Sequence, residues 1–213
     1  MDAGADPNNK AAFLSSDRLA SLSDTIFGVA MTLLATSLLP AVETLQGSVF
    51  DILRAVKGEM VAVVLGFSIS ANYWVVQQRR LAMAPAATGR QTLLHLVFLF
   101  LIVLLPISTG LWARASASQP VVLIYGAHFT SIGLVNLLLW LDLHRSVAAH
   151  MQILRSSLTL GLFAASVAVG AVSPPLAQYL WFAVLATPLI SRRLARRLFG
   201  KGAPPPAPIS DAD

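Results

Sequence analysis

The 213 residues are 56% hydrophobic and 12% charged, with a mean hydropathy of +0.71 and a net charge of +5. That composition is too apolar for an ordinary soluble domain and points to an integral membrane protein. Cysteine is absent, which removes disulfides, thiol catalysis and cysteine-ligated metals.

Residues 1–17 read as a cytoplasmic N-terminal segment. Apolar windows long enough to cross hydrocarbon at 1.5 Å rise per residue then recur near 18–40, 52–77, 92–113, 121–143, 153–173 and 176–198. These are continuous runs without the two-residue alternation of a barrel strand, so the expected class is an all-α bundle of six transmembrane helices over 18–199. The Ala-Pro-Pro-Pro-Ala-Pro stretch makes 200–213 an extended, unpacked tail. The first span lacks an Ala-x-Ala-like cleavage site and is expected to stay in the protein.

Twelve of the 15 basic residues fall on the N-terminal side of this arrangement, Arg79, Arg80, Arg145, Arg155 and the Arg192–Lys201 cluster among them. Arg54, Lys57 and Arg114 fall on the other side. Short cytoplasmic loops carry the basic excess, so both termini are expected in the cytoplasm, and the pI near 10.2 reflects topology rather than nucleic-acid binding.

The first span carries the unusual chemistry: Arg18-Leu-Ala-Ser-Leu22-Ser23-Asp24, followed by hydroxyls at Thr25, Thr32 and Thr36. An ionised carboxylate facing lipid costs roughly 3 kcal/mol or more, so Asp24 must meet protein or water. Projected at 100° per residue, Arg18, Leu22, Thr25, Val29, Thr32, Leu33 and Thr36 share one stripe. Threonine oxygens beside an aliphatic ring suit a narrow aqueous path. They equally suit helix packing, with each hydroxyl bonded to its own backbone. Asp24 and Ser23 project to the side, toward polar groups of spans two and three: Asn72, Trp74, Gln77 and His95.

Elsewhere, His128 in span four reads as a buried, satisfied histidine, with Asn136 and Ser131 as candidate partners. His144, Arg145 and His150 read as a solvated loop, since no carboxylates complete a zinc set. Lys57 and Glu59 begin span two and Asp142 ends span four, at interfacial depth. No phosphate loop, nucleophile elbow or catalytic carboxylate pair occurs, so no catalytic residue is assigned.

Arg18-x-x-x-Leu22-Ser23-Asp24 resembles the Arg-x-x-x-Phe-Ser-Asp signature of the potassium channels called transmembrane protein 175. The run from Ile26 to Leu34 with its Thr32-Leu33-Leu34, the tryptophan at 74 and Leu105-Pro106-Ile107-Ser108-Thr109 are similar to that family's continuation. The departures are Leu22 for phenylalanine, Gln77 for a histidine and His95 for an asparagine. The resemblance implies a bacterial plasma-membrane homotetramer conducting K+ without a cofactor. Helix 1 of each subunit would line its pore, with Val29 as the narrowest ring, Leu33 the next and Thr25, Thr32 and Thr36 as hydroxyl rings. It also implies no Thr-Val-Gly-Tyr-Gly filter, and none occurs. Arg18, Leu22, Ser23, Asp24, Trp74, Gln77 and His95 would form the signature cluster. The runner-up is a small ion-coupled secondary transporter, against which stands the lack of internal repeats; a transport-silent membrane scaffold is third.

Overall fold

Leu19, Ser23, Phe27, Ala30 and Leu34 follow one another at the spacing of a single helical face, and all five are buried. They form the inner side of α1, Ser16–Thr36. The computed structural model describes residues 14–36, 48–83, 86–143, 147–187 and 190. The 200–213 tail, Lys10, Arg145, His144 and the Arg192–Lys201 cluster lie outside them.

After α1 comes α2, Val49–Ala55, whose first turn is closed by a capping box between Ser48 and Asp51. Helix α3, Lys57–Met83, buries Ala62, Leu65, Ile69, Tyr73, Val76 and Gln77 on one stripe. It ends six residues beyond the boundary expected from hydropathy and so carries Arg80 into the bundle. The third span is two helices, α4, Gly89–Val103, and α5, Leu105–Arg114. They meet at Leu104 because Pro106 cannot donate to the carbonyl four residues back. Helices α6, Gln119–Leu141, α7, Val147–Gly170, and α8, Pro174–Val184, complete the described chain.

Among the described residues five segments are long and apolar enough to cross a membrane, with α4 and α5 counted as one. Of the sixth expected span, 176–198, the described part is α8 and the turn after it. A two-residue antiparallel pairing of Leu14–Ser15 (β1) with Ala86–Ala87 (β2), unforeseen in the sequence, ties the entry of α1 to the loop before α4.

Helix α1 packs chiefly on α3, α4 and α5, whereas α6, α7 and α8 pack on one another and reach α1's group through α4 and α5. Gly126 lets α6 approach α7 closely, since a Cβ there would lie 3.1 Å from Ser166 Oγ and Val167 Cγ2. Trp112, Tyr125, Phe129, Phe163 and Trp181 fill the space among α5, α6, α7 and α8 with rings 4.6–5.1 Å apart. The Trp181 indole donates to Ser166 Oγ at 2.8 Å. Arg90 and Asp142, 3.2 Å apart, join the start of α4 to the end of α6.

Candidate functional site

Helix α1 has two unlike faces. Phe27 and Leu34 are fully buried, while Leu22, Val29 and Leu33 are 38%, 54% and 45% exposed on the single chain. Arg18, Thr25, Thr32 and Thr36 are exposed on the same side. The threonine hydroxyls donate to α1's own carbonyls, Thr25 to Ser21 at 2.9 Å, Thr32 to Val29 at 2.8 Å and Thr36 to Leu33 at 2.7 Å. Each proton therefore points at the helix, and the oxygen lone pairs are free to face outward, where they can accept from water or meet a cation.

The other side of α1 is held by two polar branches. In the first, the Asp24 carboxylate accepts from the Trp74 indole N–H at 2.7 Å and from the Gln78 amide. In the second, Ser23 donates to the Leu19 carbonyl at 2.7 Å and lies 2.8 Å from His95 Nε2. A hydroxyl whose proton is committed can only accept, which assigns His95 the Nε2–H tautomer, donating to Ser23. The Gln77 amide nitrogen lies 2.9 Å from both ring nitrogens of His95 and 3.4 Å from Ser23 Oγ; with Nε2 protonated, Nδ1 is its acceptor. Gln77 Oε1 accepts from Arg80.

Trp74, Gln77 and His95 thus gather around Ser23 and Asp24, with the two signature residues served separately: Gln77 meets Ser23's branch, and Gln78 meets Asp24. Asn72 is not a member. It lies two residues before Trp74 on another face of α3, where its side-chain oxygen accepts from Arg155 of α7. Arg80 was expected at the membrane surface and is instead buried at 2% exposure, because α3 runs on past it. The sequence reading missed Gln78, Arg80 and the Asn136–Ser156 bond of 3.0 Å between α6 and α7. The i, i+3 spacing of Gln77 and Arg80 was the available signal.

His128 is satisfied by groups other than those expected. Its Nε2 lies 2.9 Å from the Leu101 carbonyl and its Nδ1 2.8 Å from Ser108 Oγ, across α4 and α5. Ser131 bonds its own helix, and Asn136 faces the Arg80 side. Among the described residues no group of three or more His, Asp or Glu side chains is placed to hold a metal ion.

Residues 18–106 match the family model described as the endosomal/lysosomal potassium channel TMEM175. Over that stretch the chain is similar to the TMEM175 family. The family is one of ion channels, not of enzymes. The fold is similar to the crystal structure of a lysosomal potassium-selective channel TMEM175 homolog from Chamaesiphon minutus, with a TM-score of 0.72 at 21% identity. That likeness covers 83% of this chain and 97% of the other. No curated protein matches the chain. The TMEM175 match contains α1, the Trp74–Arg80 segment and His95, so it spans both polar branches.

Proposed function

We propose that this chain is a member of the TMEM175 family and a potassium-permeable cation channel of the plasma membrane. Four copies, each with six spans and both termini in the cytoplasm, surround a central pore lined by α1. The observation that carries this reading is the split character of α1. Its inner face is packed and hydrogen-bonded, while its outer face repeats hydroxyl and aliphatic side chains at helical spacing that the described residues leave exposed.

In this arrangement Val29 forms the constriction and Leu33 the next apolar ring. An aliphatic ring hinders ions by excluding water, and the Thr25, Thr32 and Thr36 oxygens ease partial dehydration on either side. Ser23, Asp24, Trp74, Gln77 and His95 set the tilt and register of α1, whereas Arg18 and Leu22 of the signature face outward with the stripe. Valine is a small residue for a constriction, so K+ over Na+ selectivity is modest. The potassium-selective activity named for the Chamaesiphon minutus homolog agrees with the ion.

Liposome flux tests the proposal. Passive K+ current that follows voltage is expected. Saturable exchange coupled to a second gradient would show a carrier instead, and absence of flux from correctly assembled protein would show a scaffold.

A further inference from the structure

Arg80 lies within a membrane-spanning helix at 2% exposure, and among the described residues no carboxylate is within ion-pair distance of it. A charge in that setting is retained only if neutral dipoles solvate it. Those dipoles come from three helices. Gln77 Oε1 of α3 accepts from Nη2, Asn136 Oδ1 of α6 accepts from Nη1 at 3.4 Å, and His95 Nδ1 of α4 lies 3.5 Å from Nη2. The guanidinium carbon sits 5.6 Å from the centre of the Phe98 ring, which in turn contacts Phe27 of α1 at 6.1 Å.

With Nδ1 taken as the acceptor of the Gln77 amide nitrogen, which lies 2.9 Å from both ring nitrogens of His95, the hydrogen bonds run in one direction. Arg80 donates to Gln77 Oε1, which turns the Gln77 amide nitrogen toward His95 Nδ1. With Nδ1 engaged as acceptor, His95 donates from Nε2 to Ser23, and Ser23 donates to the Leu19 carbonyl of α1. A reversed amide would set the Gln77 N–H₂ against a guanidinium that has only donors. The cation therefore fixes the orientation of each group down to α1. On its other side Arg80 holds Asn136, which donates to Ser156 of α7 at 3.0 Å.

We propose that Arg80 is a positioning residue that couples α6 and α7 to the α1 anchor, so that a change at the α6–α7 contact is transmitted to the tilt of α1. Its planar fork reaches Gln77 and Asn136 at once. Lysine, a point charge on a flexible stem, cannot hold both acceptors in fixed orientation.

The chain has no cysteine, so Ser21→Cys on the exposed side of α1 accepts a single trifluoroethylthio label. Fluorine NMR of the full chain in micelles then reads the environment of α1, whether or not the chain conducts. Asn136→Ala is expected to shift or split the label resonance in the same sense as Ser23→Ala. With Arg80→Met already present, Asn136→Ala is expected to add no further shift. Arg80→Lys serves as a second background that keeps the charge, and loss of the Asn136→Ala shift is expected there too. A resonance unmoved by Asn136→Ala, or a shift that persists undiminished in either Arg80 background, overturns the assignment.

Discussion

Replacing Ser23 with alanine isolates the anchor of α1 from its charge. Ser23 is fully buried, and its hydroxyl both donates to the Leu19 carbonyl at 2.7 Å and accepts from His95 Nε2 at 2.8 Å. The Leu19 carbonyl keeps its ordinary helical partner, so the loss that matters is the stranded His95 N–H. A buried donor left without an acceptor costs about 1–3 kcal/mol. Interhelical hydrogen bonds in membrane bundles average ~0.6 kcal/mol and reach ~1.7, which favours the lower half of that range. The expected loss is therefore ~1–2 kcal/mol per chain, about a 5–30-fold change in the folded-to-unfolded ratio. Ser21→Ala, on the exposed side of the same helix, is the control, expected within ~0.5 kcal/mol of the parent. Reversible unfolding in mixed micelles, followed by tryptophan fluorescence, measures both. If Ser23→Ala loses no more stability than Ser21→Ala, the Ser23–His95 bond does not hold α1.

Three further outcomes are expected. Asp24→Ala should reduce tetramer yield in size-exclusion chromatography, while Asp24→Asn, which keeps an acceptor for Trp74 and Gln78, should retain most of it; an Ala variant that assembles normally and changes only selectivity would make Asp24 a pore ligand. Val29→Leu should lower K+ conductance in planar bilayers, Val29→Ala should raise it with loss of K+ over Na+ preference, and Thr32→Ala should weaken selectivity more than conductance; parental behaviour in all three would remove α1 from the pore wall. Single cysteines at positions 10 and 201 should resist impermeant thiol reagents in intact cells, and labelling of either would reverse the termini.

Much of the α1 side of the site was legible because helical geometry is local. One projection at 100° per residue separated Thr25, Val29, Thr32, Leu33 and Thr36 from the packed face, and these five side chains are exposed in the structure. Depth along neighbouring spans likewise gathered Trp74, Gln77 and His95. Azimuth was not legible. Asn72, Trp74, Gln77 and Gln78 lie within two turns of α3, yet they point to different helices, and only packing decides which of them meets Asp24. Arg80 was misplaced for a related reason, since hydropathy ends a span at its first charges, whereas α3 continues to Met83 because a buried guanidinium found acceptors on its neighbours. The partners of His128 depended on the break at Leu104, which brings Leu101 and Ser108 to one side of the third span.

The two departures at 77 and 95 from the signature that this chain resembles make sense as a pair. A helix-to-helix relay needs each member to take a hydrogen bond on one side and give one on the other. Histidine can do this through its two ring nitrogens, and a carboxamide through its oxygen and nitrogen. Exchanging a histidine on α3 for Gln77 and an asparagine on α4 for His95 keeps one group of each kind between the two helices. The donor-to-acceptor sequence ending on Ser23 and the Leu19 carbonyl therefore survives the exchange. What changes is which helix carries the titratable ring. Gln77 cannot become cationic, and its oxygen is free to face a permanent cation, which is why Arg80 can sit one turn further along the same helix. His95→Asn alone would place two carboxamides in series, which preserves the relay if the shorter side chain reaches Ser23. Gln77→His alone would set an imidazole against the guanidinium, where only its neutral form can accept. The second change should therefore cost more folded protein than the first, and comparing their yields tests whether Arg80 is the group that fixes glutamine at 77.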